Sequence, residues 1–291
     1  MKQPFIRFRT RLAQACTPAL LAGSALVLSA CQQLPPLLPP KAGSAELLLM
    51  GEQHDQPDHQ RQIAAEVKRL SDQGLLAALV LEMVEDGRDT TDLFRISSED
   101  TVRKALDWDD RGWPWATYGP AVMIAVRAGV PVVGGNLPRS QMRAVMADTG
   151  FDLQLDEAAR KRVATAVDEG HCGLLKAEQL PAMVRIQIAR DRRMAEAALR
   201  ARVNAGAGQV VMLHAGEQHV ARDRGVPMHL DQLGVPVGQM HVVAFGEGEL
   251  PVDERRPSRR VESEDHCAGL GERLSRAAPV AAQAAASAAS H

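Results

Sequence analysis

Aromatic residues are scarce in this chain, which has three tryptophans, one tyrosine and five phenylalanines among 291 residues. Basic residues are not in excess either, because the formal net charge is −2 at pH 7. Binding to nucleic-acid phosphates needs an excess of lysine and arginine, so this balance argues against a nucleic-acid partner.

The chain also lacks a long hydrophobic run near its N-terminus. The apolar stretch there follows four basic residues and is interrupted by Thr17, Pro18, Gly23 and Ser24, whereas a spanning helix needs about 20 apolar residues. A basic start and a short apolar run are typical of a signal peptide, which we place at residues 1–30. Because these residues include no acid, their removal leaves a net charge of −6.

The signal peptide ends in the sequence LSAC, which resembles a lipobox and predicts cleavage before Cys31 and lipid attachment to it. The alternative is an ordinary secretory signal with an incidental cysteine. Gln32 is not an inner-membrane retention residue, so we expect a cell-envelope protein anchored to the outer membrane. In an oxidising periplasm the two remaining cysteines, Cys172 and Cys267, could form a disulfide.

Composition divides the rest of the chain into three parts. Residues 31–44 are proline-rich and predict an extended, flexible tether. Residues 45–248 have the size of one domain. Residues 249–291 are rich in Arg, Glu, Pro, Ser and Ala and lack aromatic residues, so we expect a disordered low-complexity tail that buries too little apolar surface to fold.

Within the domain, short apolar runs alternate with stretches of helical period. The runs predict strands at 46–50, 77–83, 130–134, 209–214 and 239–244, and the amphipathic stretches predict helices at 57–73, 99–106, 118–128, 138–147, 156–169 and 176–204. This alternation indicates a single α/β domain with a mainly parallel sheet flanked by helices.

The tetrapeptide GEQH occurs twice, at residues 51–54 and 216–219, each time after a predicted strand. Ligands of open α/β sheets bind beyond the carboxyl ends of the strands, so both copies should face one crevice. Glu82 follows a third apolar strand, where an unpaired carboxylate would be costly to bury. Glu52, His54, Glu82 and His219 are therefore a candidate hydrolytic centre, and His54, Glu82 and His219 a candidate divalent-metal site.

Each of these residues also has a simpler interpretation. His54 could cap the helix that begins near Pro57, and Glu82 could accept hydrogen bonds from backbone amides at a sheet edge. Asp191 could belong to a solvated charged face of the long helix. Alternatively, Gln187, Asp191 and Met194 could lie together against the sheet, because they follow helical spacing.

All three tryptophans and the only tyrosine lie between residues 108 and 118. A tyrosine phenolate is an axial ligand of ferric haem in some proteins, and indole rings suit a porphyrin face. Tyr118, Trp113 and Trp115 are therefore candidate haem-binding residues on a shallow, exposed patch. The alternative is a loop that is anchored by aromatic packing. His171 could be a second ligand, or simply a residue that favours a helix C-terminus.

Taken together, these sequences resemble the ChaN-like family of haem-binding lipoproteins, which is grouped with the Tiki and erythromycin-esterase proteins. The resemblance rests on GEQHD at 51–55 with His59, LEM at 81–83, WPW at 113–115 with YGP at 118–120, GNLPR at 135–139, HCG at 171–173, Gln187 with RD at 190–191 and MA at 194–195, GEQH at 216–219 and GVP at 225–227.

The resemblance implies an envelope protein for haem or iron uptake, in which two subunits of a homodimer hold a pair of haems and a tyrosine ligates iron. Tyr118 would then be the ligand, assisted by His171 of the partner subunit. Glu217, where an uncharged residue is expected, and the alanine-rich tail depart from the family pattern. A metal-dependent hydrolase remains the alternative function, and a purely structural lipoprotein is a third.

Overall fold

The computed structural model describes residues 47–262 and 267–270. The predicted signal peptide at 1–30, the predicted lipidation site Cys31 and the predicted tether at 31–44 lie outside the described residues, as do residues 271–291 of the predicted tail. No helix in the described part of the chain is long and apolar enough to cross a membrane.

Six strands form one sheet in the order β3-β2-β4-β1-β5-β6, and every pair of neighbours is parallel. The strands are β1 (Leu47–Glu52), β2 (Leu76–Glu85), β3 (Val132–Asn136), β4 (Val210–Gly216), β5 (Met240–Phe245) and β6 (Glu254–Arg256). The predicted parallel α/β fold is confirmed, and each of the five predicted strands overlaps an observed one.

The helices are α1 (Pro57–Asp72), α2 (Glu99–Ala105), α3 (Trp115–Ala128), α4 (Met142–Ala147), α5 (Glu157–Gly170), α6 (Leu180–Val203), α7 (Glu217–Val220) and α8 (Val226–Gln232). A 3-10 helix, Arg139–Gln141, precedes α4. The helix predicted at 118–128 begins one turn earlier, because Pro114 occupies the N-cap position and the Trp115 amide donates a hydrogen bond to Asp110.

The strands bury both faces because alternate residues point into different cores. On one face, Leu48 and Met50 of β1 pack with apolar residues of α1 and α3. On the other face, Leu47 and Leu49 pack with apolar residues of α6 and α8. Burying each such leucine stabilises the fold by about 1.5–3 kcal/mol. Two packed layers therefore hold the strand ends in fixed positions.

The prediction of a disordered tail from residue 249 is wrong for residues 249–262. Strand β6 pairs with β5, and Arg222 forms an ion pair with Asp253 just before it. Further along, the Ser258 hydroxyl lies 3.0 Å from His59 Nε2. Composition misled the prediction because this segment is held by backbone hydrogen bonds and ion pairs rather than by apolar burial.

Candidate functional site

The two GEQH sequences lie side by side at one edge of the sheet. Strands β1 and β4 are neighbours, and their register places Glu52 opposite Gly216. Glu52 ends β1, and His54 lies in the loop that follows. Gly216 ends β4, and His219 lies in the short helix α7. The expectation that both copies face one crevice is therefore met.

Glu52 is buried and is the centre of a polar network. Its Oε1 accepts hydrogen bonds from His54 Nδ1 at 2.8 Å and from the Tyr118 hydroxyl at 2.9 Å. His214 Nε2 lies 3.0 Å from Oε2, at ion-pair distance but without hydrogen-bond alignment. Burial raises the pKa of Glu52, but His214 and His54 outweigh it and lower the pKa to about 2. Glu52 is therefore ionised at neutral pH.

His54 is the histidine of this network that solvent reaches, since 42% of its side chain is exposed. Of its two ring nitrogens, only Nδ1 has a hydrogen-bond partner among the described residues. The ring packs edge-on against Trp113, with 4.8 Å between ring centroids. Burial lowers the pKa of His54, but the hydrogen bond to Glu52 and the charge of Glu82 raise it above its ordinary value.

A second buried network surrounds His219. Its Nδ1 lies 2.5 Å from Asp191 Oδ1, and its Nε2 lies 3.2 Å from Glu82 Oε1. Burial opposes protonation of His219, but both carboxylates raise its pKa to about 10. Burial raises the pKa of Asp191 to about 6, although His219 opposes this shift. The raised pKa favours an imidazolium between the two carboxylates, and both ring nitrogens of His219 face these carboxylates.

The divalent-metal site predicted at His54, Glu82 and His219 is not formed. In residues 47–262 and 267–270, no group of His, Cys, Asp and Glu side chains has a geometry that could hold a metal ion. Both ring nitrogens of His219 face carboxylates, and Glu82 Oε2 accepts the Gly216 amide at 2.7 Å. The ring nitrogens of His219 and the carboxylate of Glu82 are therefore already engaged within the protein.

A cavity of about 510 Å³ opens beyond the ends of β2 and β3. We call it the crevice cavity. Glu82 reaches it from the His219 network, and Trp113 forms a wall beside His54. Its apolar lining consists of Met83, Leu106, Trp108, Trp113, Leu137 and Met142. Polar and charged side chains make up most of the remaining wall: Glu82, Glu85, Asp107, Asp109, Arg111, Asn136, Arg139 and Arg190. The volume lies in the range of small-molecule sites, about 300–1,000 Å³.

The prediction of a shallow, exposed patch around Tyr118 is wrong. Tyr118 is only 3% exposed and Trp115 only 9%. The indole of Trp115 donates a hydrogen bond to Glu99 at 2.9 Å, which is a packing role. Burial and the charge of Glu52 raise the pKa of Tyr118 well above its usual range. Of the three candidate aromatic residues, only Trp113 lines the crevice cavity.

His171 is not brought together with the other candidates. It caps the C-terminal end of α5, and its Nδ1 lies 2.7 Å from the Val167 carbonyl. It lines a separate cavity of about 160 Å³, shared with Gln187 and Asp191. The neighbouring Cys172 forms a disulfide with Cys267. The role of His171 as a ligand from a partner subunit stays a prediction.

The sequence also contained site residues whose roles could not be assigned. Asp191 is buried, so the solvated-face interpretation is wrong for it, and Gln187 does lie beside His219. His214 lies in the apolar run that predicts the strand at 209–214, and an ionisable residue in such a run is itself a signal of a site. Arg190 lines the crevice cavity, and nothing in the helical pattern distinguishes it from other arginines of α6.

Two kinds of chemistry are open to His54. A histidine with one nitrogen held by a carboxylate can offer the other to a metal or accept a proton through it. Both uses need the neutral imidazole. Hydrolysis by Glu52, His54, Glu82 and His219 therefore depends on His54, because carboxylates engage both ring nitrogens of His219. It stays a prediction.

Comparison with known proteins decides which group this chain belongs to. The family described as haem-binding uptake, Tiki superfamily, ChaN matches residues 39–230, more than half of the chain. The chain belongs to this family. A solved structure that describes cofacial heme binding to ChaN of Campylobacter jejuni has a TM-score of 0.57 and 23% sequence identity, covering 72% of this chain and 84% of that one. At this identity the likeness shows the ChaN-type fold.

Two further solved structures match this chain with TM-scores below 0.5. The type III effector HopBA1 has a TM-score of 0.39 and 13% identity, covering 74% of this chain and 88% of its own. The erythromycin esterase EreC in its open conformation has a TM-score of 0.39 and 15% identity, covering 69% of this chain and 70% of its own. A search of curated protein sequences found no match.

Proposed function

We propose that this protein binds haem, with His54 as the ligand of the iron. The chain belongs to a family that is described as haem-binding uptake, Tiki superfamily, ChaN. The observation that carries the assignment to His54 is its geometry: Nδ1 is 2.8 Å from the buried Glu52 carboxylate, and Nε2 is unpartnered among the described residues.

This geometry fits the group it would hold. A histidine that ligates a metal usually gives its other N–H to a carboxylate or carbonyl, which fixes the tautomer and raises the basicity of the ligand. Glu52 provides that carboxylate, and His214 on its other side keeps it ionised. Haem iron would supply redox or ligand-exchange chemistry, while the chain's own residues orient the imidazole.

The loop beside His54 carries aromatic rings. Trp113 packs against His54, so an indole lies beside the proposed iron ligand. Trp108 donates its indole N–H to the Trp113 carbonyl at 2.8 Å, which fixes the loop that carries both rings. Met83 and Met142 add flexible apolar surface, which adapts to irregular shapes.

Tyr118 is less suited to ligate iron than the sequence suggested. Ligation needs a phenolate, but this hydroxyl is buried and donates its proton to Glu52. Removing that proton would place two negative charges at hydrogen-bond distance in a desolvated site. We therefore propose that Tyr118 positions Glu52 and that Glu52 positions His54.

The test is a titration of the protein with hemin, followed by the Soret band. We expect wild-type protein to shift the band and His54→Ala to lose most of the shift. His241→Gln is the matched control, because His241 lies at the opposite end of the sheet and contacts Glu254. A wild-type protein that leaves the hemin spectrum unchanged would refute haem binding. An unaltered shift in His54→Ala would refute the ligand.

We further propose that the protein works as an outer-membrane lipoprotein that receives or delivers haem, held by lipid on Cys31, and that two copies bind a pair of haems. The lipobox-like sequence supports the anchor. Mass spectrometry of the mature N-terminal peptide should show acylated Cys31, and Cys31→Ser should release the protein from the membrane fraction. Light scattering with and without hemin should report a dimer, and a monomer in both states would refute it.

A further inference from the structure

Exposed apolar side chains are concentrated at the end of the sheet where the strands begin. Phe94 is 79% exposed and Ile96 is 90% exposed, in the loop between β2 and α2. Val203 ends α6 and Val237 precedes β5, and both are exposed too. These are four of the seven large apolar residues exposed in the described part of the chain. Single exposed residues need no explanation, but their concentration at one end indicates a contact surface.

Hydrogen bonds place the loop of Phe94 and Ile96 at this end. After β2 the chain turns back along β3, where the Thr90 amide donates to the Val132 carbonyl at 3.0 Å. The Val132 amide donates to the Thr90 hydroxyl at 2.9 Å. Val132 is the first residue of β3. The loop therefore lies at the opposite end of the sheet from Glu52, which ends β1.

The backbone of residues 94–97, which we call the Phe94 turn, is held in place. The Ser97 amide donates to the Phe94 carbonyl at 2.9 Å. The Arg127 guanidinium, in the last turn of α3, donates to the carbonyls of Arg95 and Ser97 at 2.6 and 2.7 Å. Leu93, just before the turn, packs against the core. The apolar side chains of the turn therefore face solvent from a fixed backbone.

The chain enters the domain at the same end. Strand β1 begins at Leu47, which pairs with Val211, and Val211 pairs with Ala78. The next residue of β2, Leu79, pairs with Val132. Leu47 and the start of β3 are therefore nearly level, and three strand spacings, about 14 Å, separate β1 from β3.

The proposed lipid anchor keeps this end close to a bilayer. Cys31 and Leu47 are 16 residues apart, so even a fully extended chain holds Leu47 within about 55 Å of the lipid. A short tether gives the domain a high effective concentration at the bilayer surface. A small apolar surface is then enough for docking.

The charges around the Phe94 turn are mixed. Arg95 and Arg127 are exposed and form no ion pair with any other described residue, and guanidinium groups suit phosphate oxygens. Asp92 and Asp100 flank the turn on either side and are exposed as well. Insertion of apolar side chains, rather than net charge, should therefore hold the contact. A phospholipid bilayer fits, because its phosphates cover an apolar interior.

We propose that the end of the domain that carries the Phe94 turn docks on a phospholipid surface. Phe94 and Ile96 insert below the headgroups, and Arg95 and Arg127 lie at the level of the phosphates. The choice of a bilayer as the partner rests on the proposed lipid anchor at Cys31. Docking in this way turns the crevice cavity away from the membrane, because the cavity lies beyond the opposite ends of the strands.

The first experiment places an environment-sensitive fluorophore on Ile96→Cys in the mature, acylated protein. Cys172 and Cys267 form a disulfide, so the engineered cysteine is the free thiol. In vesicles of phosphatidylethanolamine and phosphatidylglycerol, we expect the emission to shift to the blue and quenching by iodide to decrease. Unchanged emission and quenching would overturn the proposal.

Leu153→Cys is the matched control for this label. Leu153 is 85% exposed, but its neighbour Asp152 pairs with Arg185 near the start of α6, whose other end lies where the strands begin. A label there should stay quenched by iodide. If the Ile96→Cys label of the Cys31→Ser protein is shielded in buffer without vesicles and light scattering shows a dimer, the surface binds a second copy and the proposal fails.

A second experiment separates docking from the lipid anchor. The mature chain with Cys31→Ser is sedimented with the same vesicles, and Phe94→Ser with Ile96→Ser should lower its partition coefficient at least about tenfold, because two inserted apolar side chains are lost. Leu153→Ser should leave the coefficient unchanged. If mass spectrometry finds no lipid on Cys31, the proposed anchor fails and this measurement alone decides docking. Equal sedimentation of both variants would then overturn it.

Discussion

The hydroxyl of Tyr118 donates a hydrogen bond of 2.9 Å to Glu52 Oε1, the same oxygen that accepts from His54 Nδ1. One carboxylate oxygen thus fixes a buried phenol of α3 and a half-exposed imidazole in the loop after β1. Tyr118 and His54 are therefore linked through Glu52, and both rings also pack against Trp113. Under the proposed function, Tyr118 is a positioning residue for His54.

Replacing Tyr118 with Phe tests whether Tyr118 positions Glu52 or ligates the iron. The ring would still pack against Trp113, and only the hydroxyl would be lost. We expect a decrease of about 1 kcal/mol in the free energy of unfolding, typical of one lost hydrogen bond. Hemin titration should keep its Soret shift. If the shift disappears while circular dichroism shows a folded protein, the phenolate is the ligand after all.

Hemin binding should depend on pH in a defined direction. His54 must be neutral to offer Nε2 to iron, and its pKa is raised by Glu52 and Glu82. Affinity should therefore be low in acid and increase as the pH rises through a value above 6.5. Glu52 stays ionised throughout this range, because its pKa is about 2. A hemin affinity that is constant from pH 5 to pH 9 would contradict His54 ligation.

The architecture was predictable because it depends on patterns a sequence displays. Apolar runs of strand length alternate with helical periods, and this placed β1 to β5 within a few residues. Strand β6 was missed because residues 254–256 are Glu-Arg-Arg and carry no apolar pattern; its contacts are edge hydrogen bonds and ion pairs such as Arg256 with Glu66 at 3.6 Å. Helix α7 was missed because four residues are too few for a period.

The site was only partly predictable. The repeated GEQH sequence brought Glu52, His54 and His219 to one edge, because parallel neighbouring strands end there. Side-chain direction could not be read from spacing, so Tyr118 was placed on the surface although its helix turns it inward. The metal-site prediction failed for a related reason: Asp191, 28 residues from His219, occupies a ring nitrogen that a metal would need.

The His219 network should make stability depend on pH. Its pKa is about 10 in the folded protein, so the folded state keeps a proton that the unfolded state loses near pH 6.5. The free energy of unfolding should therefore fall as pH rises from about 7 to 10, by at most about 1.4 kcal/mol per pH unit for this residue. Urea titrations at several pH values would measure the slope.

His219→Asn is the variant that tests this assignment. It leaves Glu82 and Asp191 without the cation between them, so we expect a loss of about 3–5 kcal/mol at neutral pH. The slope between pH 7 and 10 should become flatter than in wild type. An unchanged slope would assign the titration to another group, with His54 as the first candidate.

The disulfide between Cys172 and Cys267 ties the end of α5 to a segment 95 residues further along the chain. Closing so long a loop restricts the unfolded chain, so we expect Cys172→Ala with Cys267→Ala to lower the free energy of unfolding by about 2–4 kcal/mol. Reductant should destabilise wild type equally and leave the double variant unaffected. Hemin affinity should stay the same, because the bond acts mainly on the unfolded chain.

One variant tests the proposed iron ligand without replacing any residue that has been assigned a role. A Cβ at Gly216 would lie 3.0 Å from His54 Nε2 and 3.6 Å from Glu82 Oε2. Gly216 has φ −62° and ψ 150°, which alanine adopts without strain. Gly216→Ala should therefore block Nε2 and weaken hemin binding about tenfold or more while the melting temperature changes little. Gly238→Ala is the control, because nothing lies within 4 Å of its Cβ position. Equal hemin affinity in both variants would mean that iron does not approach His54 from the Gly216 side.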